Sequence, residues 1–78
     1  MDDFYPVTDQ DSEVLDNSFT YHTPKGNQQT RYEMMRRDAR SLANTILRCA
    51  PKSRERSLAI THLENAIMWA NKAIACNE

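Results

Sequence analysis

Glycine occurs once in this sequence, at Gly26, and proline three times, at Pro6, Pro24 and Pro51. A many-stranded β architecture needs turn residues every 8–12 positions, so so little punctuation argues against one and for a few long elements. No apolar run approaches the roughly 18 residues that a membrane-crossing helix requires. Two cysteines, Cys49 and Cys76, are too few for a disulfide framework. His22 and His62 have no second ligand at chelating spacing, so no metal site is expected. The Gly-rich phosphate loop and the HExxH helix are missing as well, and no nucleophile, base and orienting group share a recognisable spacing. No catalytic residue and no cofactor are therefore expected. Lys and Arg are absent from residues 1–24, which also lack the basic flank and apolar stretch of a secretory signal; a cytosolic protein is the expectation.

What is present divides sharply. Residues 1–24 carry six acids and no base, while all ten bases lie in 25–78 against five acids, so a net charge of −1 conceals a front at −6 and a rear at +5. With 78 residues the chain holds at most one small domain. We divide it into an N-terminal arm, 1–26, and a helical segment, 27–78. The arm has scattered aromatics and no sustained apolar period; it reads as mostly irregular, with room for one short helix, a turn around Ser12–Leu15.

From Asn27 the pattern changes. Thr30-Arg31-Tyr32-Glu33 has the Thr-x-x-Glu form of a capping box, and Asn27 is a competing cap. Tyr32, Met35, Ala39, Leu42, Ala43 and Ile46 then follow spacings of three and four, which predicts a helix over about 28–49. Pro51 cannot continue that ladder, and Ser53 is a good N-cap for a second helix with Glu55 in its first turn. Its seam is Ile60, Leu63, Ile67, Ala70 and Ile74, beside a row of small residues at Ala59, Ala66 and Ala73 that permits close helix approach. The short link between the helices predicts an antiparallel αα-hairpin. The fold class is all-α.

Such a hairpin has one contact line, yet thirteen of the nineteen residues from Leu58 to Cys76 are apolar, with Met68 and Trp69 beside the seam. Self-association is expected, since scaffolds of this size without disulfide or metal commonly need it. Cys49, by the turn, and Cys76, at the far end of the second helix, are too far apart to bridge and read as packing residues.

The cations admit two readings each. Arg36, Arg37, Arg40 and Arg48 read as the solvated face of the first helix. Arg54 and Arg56 are either exposed charges at a turn or, in the first turn of a helix whose free amides favour anions, part of a phosphate site. Lys25 lies between Pro24 and Gly26, which presents its ammonium from a constrained loop. Phe4, Tyr5, Phe19 and Tyr21 either pin the arm to the hairpin or offer flat rings for stacking on nucleobases.

The stretch Pro51-Lys52-Ser53-Arg54-Glu55-Arg56-Ser57-Leu58-Ala59, continuing through Met68-Trp69-Ala70-Asn71, strongly resembles the second helix of the phage anti-CBASS cyclic-oligonucleotide sponges, a group whose αα-hairpin domain also occurs in a phage protein acting against Thoeris defence. Phe19-x-Tyr21-His22-x-Pro24 and Tyr32-x-x-x-Arg36 look like the approach to its first helix, so the resemblance covers about residues 19–75. It implies a non-enzymatic binder in the cytoplasm of the infected bacterial host, capturing cyclic oligonucleotide messengers such as cGAMP. It also implies a homohexamer, with cyclic dinucleotides between protomers and cyclic trinucleotides at a separate site. The roles it implies are carried to Tyr5, in an arm that matches only loosely, and Lys25 for the dinucleotide, and to Arg54, with Arg56 as alternate, for the trinucleotide. Cys76 departs from the pattern, standing where the resemblance implies a basic residue. The competing expectation is a helical interaction or assembly module with no nucleotide ligand. A DNA or RNA binder is disfavoured, because the arginines are spread around the first helix and the acidic arm would repel a polyanion.

Overall fold

A computed structural model describes residues 4–78. Three helices follow one another: α1 (Asp9–Phe19), α2 (Gln28–Cys49) and α3 (Arg54–Asn77). Helices α2 and α3 form the hairpin, and no strand occurs among the described residues. The bounds of α2 and the Ser53 start of α3 are those that the apolar period and the cap chemistry predict.

The seam follows from the sequence at most positions. Tyr32, Met35, Ala39, Ala43 and Ile46 of α2 are half-buried, as are Ala59, Ile60, Leu63, Ile67, Ala70 and Ile74 of α3. Leu42 departs from its expected place and stands half exposed at 50%. Ala66 and Ala73 are also exposed, so the row of small residues lies outside the hairpin seam beyond Ala59. Asn71 interrupts the seam as well: its Oδ1 is buried without a hydrogen-bond partner among the described residues. Both cysteines are free thiols.

Each helix start has its own explanation. At α3, Ser53 Oγ accepts the Arg56 N–H at 3.1 Å. At α2, the Thr30–Glu33 box does not form, because the helix has already begun at Gln28 and Thr30 lies within its first turn. Asn27 occupies the cap position but makes no side-chain cap bond; its Oδ1 instead accepts from Arg31 Nε at 3.0 Å.

The arm requires a correction. Rather than one short turn around Ser12–Leu15, it contains an 11-residue helix. Thr8 and Asp11 form a reciprocal capping box, in which Thr8 Oγ1 accepts the Asp11 N–H and Asp11 Oδ2 accepts the Thr8 N–H, both at 3.1 Å. Asp9 and Asp11 in its first turn also suit the helix dipole. At its other end Asn17 ties α1 to the end of α3: its Nδ2 donates to Cys76 O at 3.1 Å, and its carbonyl accepts from His22 Nε2 at 2.7 Å.

No hydrophobic side chain is buried among the described residues. The radius of gyration is 17.8 Å, against about 11.5 Å for a compact domain of this length. The chain is only 13 Å thick along its shortest axis, about one helix layer. Its accessible surface of 6846 Å² exceeds the roughly 4,900 Å² typical of a folded monomer of this mass. Met68 and Trp69 are 53% and 62% exposed, with Lys72 Nζ 5.7 Å from the Trp69 ring centroid. None of the three helices is long and apolar enough to cross a membrane.

Candidate functional site

The expected site residues fall at opposite ends of the hairpin. Lys25 sits where α2 begins and α3 ends; Arg54 and Arg56 sit where α2 ends and α3 begins. The 22-residue length of α2 puts about 33 Å between these ends.

The Lys25 end is a built turn. Gly26 has φ +58°, in the left-handed region, and a Cβ there would meet no atom within 4 Å, so backbone conformation rather than space favours glycine. Gln28 fixes the turn from two sides. Its Oε1 accepts the Lys25 N–H at 3.1 Å, and its own N–H donates to Lys25 O at 3.1 Å. At 5% exposure Gln28 is the one buried side chain among the described residues, which is unusual for an amide and explained by its bonding.

Its Nε2 continues the network by donating to Glu78 Oε1 at 3.2 Å. Arg31 grips the same carboxylate through both terminal nitrogens, Nη1 to Oε2 at 2.8 Å and Nη2 to Oε1. The Arg31 hydrogen bonds, followed by that from Gln28, hold the Glu78 carboxyl down at about 2. The same hydrogen bonding pushes the Arg31 guanidinium above its usual value. Glu78 thus neutralises Arg31, and the charge of nearby Lys25 adds to the lowering of its carboxyl. The Lys25 side chain is exposed and makes no hydrogen bond or ion pair among the described residues.

Tyr5 lies ahead of α1 and is 94% exposed. No hydrogen bond or ring contact joins it to Lys25 among the described residues. Phe19 and Tyr21 are 83% and 80% exposed, which opposes the reading that these rings pin the arm to the hairpin.

At the other end the two arginines separate in role. Arg56 is half-buried, and its Nη1 donates to Leu47 O at 3.1 Å and Ala50 O at 3.4 Å. These are carbonyls at the end of α2, where unpaired acceptors and the negative end of the helix dipole attract a cation. Arg54 is exposed in the first turn of α3, with no hydrogen bond or ion pair among the described residues. Of the pair, Arg54 is the one whose charge the chain leaves available.

The Gln28, Arg31 and Glu78 network was not among the expected site residues. Its members are separated by up to 50 residues in sequence, and only the antiparallel hairpin brings them together. Among the described residues no three of His, Cys, Asp and Glu gather where a metal ion could contact them.

No curated protein and no solved structure matches the chain. The description of the Acb2/Tad1 hairpin domain does match, over residues 11–75, and so takes in most of α1, all of α2 and nearly all of α3. The chain belongs to that family, the anti-CBASS and anti-Thoeris sponges.

Proposed function

We propose that the protein is a stoichiometric sponge. Copies of the chain assemble, in the reading implied by the family as a hexamer, and sequester cyclic dinucleotides such as cGAMP between protomers. Cyclic trinucleotides occupy a separate site, and neither ligand is cleaved. In the cytoplasm of the infected host, capture keeps CBASS effectors off. Membership of the hairpin family over residues 11–75 carries the proposal.

The physical chemistry supports the assignment of roles. A cyclic dinucleotide presents two phosphates and two bases, and a two-fold interface that supplies one Lys25 and one Tyr5 from each protomer matches that symmetry. The turn around Gly26 fixes the Lys25 backbone, so the ordering entropy left to offset on binding is that of the side chain, about 2 kcal/mol. At a nanomolar Kd the binding energy is about −12 kcal/mol, which places the demand on a shared, preorganised pocket rather than on one exposed side chain. Arg54, unengaged and at a helix start, suits the phosphates of the trinucleotide. Arg56 supports that site through the end of α2.

Calorimetry with cyclic dinucleotides on the natural chain and on Lys25→Ala tests the proposal. The variant is expected to keep its assembled mass and to bind at least about tenfold more weakly, the loss typical of one charge-assisted contact. Unchanged affinity would refute the role of Lys25. Absence of binding heat with every cyclic nucleotide, in the natural chain, would favour an assembly module without a nucleotide ligand.

A further inference from the structure

The middle of the hairpin carries an apolar groove of about 310 Å³ between α2 and α3. Ala39, Ala43, Ile60, Leu63 and Ile67 form its floor. Arg36 and Arg40 stand on the α2 rim and Glu64 on the α3 rim. All three rim charges are without an ion pair among the described residues. Because Ala39 and Ala43 are short, the groove is open over two turns of each helix, about 10 Å.

Helix α1 has the opposite character. It carries Asp9, Asp11, Glu13 and Asp16 and no base. It also exposes apolar side chains, with Leu15 at 48% and Phe19 at 83%. Asn17, whose amide reaches Cys76 O, ties the C-terminal end of α1 to its own hairpin. At 3.6 residues per turn, Leu15 and Phe19 each lie about 160° around the helix from Asn17. The Leu15–Phe19 stripe lies on the side of α1 opposite Asn17 and is left exposed by its own chain.

We propose that α1 of a second copy of this chain docks its Leu15–Phe19 stripe in the groove, with its Asp16 flank against Arg36 and Arg40. This inference rests on the self-association proposed above and specifies which surfaces meet. Asp16 sits about 60° from Phe19 around the helix, and it has no ion pair among the described residues. Beside Leu15 and Phe19 the opposite flank of the stripe carries Ser18 and Val14, so the carboxylate of α1 that borders Glu64's side is Asp11, which keeps its charge in the capping box with Thr8 and sits one turn, about 6 Å, before Leu15. Burial of the stripe and the groove floor offsets part of the excess surface of the single chain.

Sedimentation of full-length charge-reversal variants tests the contact. Asp16→Arg and Arg40→Glu are each expected to weaken association by about tenfold or more, since like charges then meet at the rim. The double variant, with both charges exchanged, is expected to recover the assembled mass. If the natural chain itself sediments as a monomer, self-association fails and this inference with it. If the natural chain assembles but the single reversals assemble equally well, or the double variant is no better than the singles, this contact alone is overturned. A cross-link gives a second reading: Leu15→Cys with Ala43→Cys, in chains also carrying Cys49→Ser and Cys76→Ser, is expected to yield covalently linked chains on oxidation. An internally bridged monomer, or no bridge, overturns the docking to a second copy.

Discussion

Truncating Gln28 to alanine is expected to loosen the Lys25 turn and lower the stability of the whole chain. The side chain makes two hydrogen bonds that alanine cannot, from the Lys25 N–H at 3.1 Å and to Glu78 Oε1 at 3.2 Å. Each contributes about 0.5–1.5 kcal/mol net, so their joint loss comes to about 1–3 kcal/mol. The lower half of that range applies, because Arg31 still holds Glu78 and water can reach the freed Lys25 N–H. At roughly 4–8 °C per kcal/mol for a domain of this size, the midpoint of thermal unfolding should fall by about 4–16 °C. Circular dichroism at matched chain concentration measures it, since the midpoint of an associating protein depends on concentration. Gln28→Glu dissects the effect: it keeps an acceptor for the Lys25 N–H but loses the donor to Glu78 and sets two carboxylates together. That variant should be destabilised at neutral pH and recover as the pH falls and one carboxyl takes a proton. A midpoint within about 2 °C of the natural chain in both variants would refute the reasoning.

Other outcomes follow from the same structure. Arg56→Ala removes the donor to the end of α2 and should cost about 1 kcal/mol of stability, whereas Arg54→Ala should leave stability unchanged while weakening cyclic-trinucleotide capture; denaturation and calorimetry on the two variants separate the roles. The Glu78 carboxyl is lowered from 4.5 to about 2 by Arg31 and Gln28, so the stability it contributes is present above its unfolded value and is lost as the pH falls through about 2. Acid titration of Glu78→Gln should lack that component, and an acid limb identical to that of the natural chain would contradict it. Thr8→Ala should fray α1 by removing its capping box, at a cost of about 1 kcal/mol, seen as lost amide-exchange protection over Asp9–Phe19.

The hairpin is legible in the sequence because α2 and α3 are long enough for their apolar period to repeat several times, and because Pro51 and Ser53 mark the break between them. Helix α1 is not, for two physical reasons. Its apolar residues Val14, Leu15 and Phe19 do not repeat over enough turns to show a period, and its capping box uses Asp11 where Glu or Gln is the usual partner. Thr30–Glu33 shows the converse error, a motif of the right form that begins in the first turn of a helix that has already started. The same limit applies at the candidate site. Lys25 stands out because Pro24 and Gly26 flank it, a local signal, while Gln28, Arg31 and Glu78 meet only once the hairpin closes. Arg54 and Arg56 are equivalent by composition and position in sequence; only the path of the chain past the end of α2 tells them apart.

Native mass spectrometry of the full chain, mixed with a panel of cyclic di- and trinucleotides, tests the central claim most directly because one spectrum reads both assembly and cargo. The account predicts a defined multimer carrying whole-number complements of ligand, each released on denaturation at its original mass. A monomer that retains none of them, or a released product of altered mass, would contradict it.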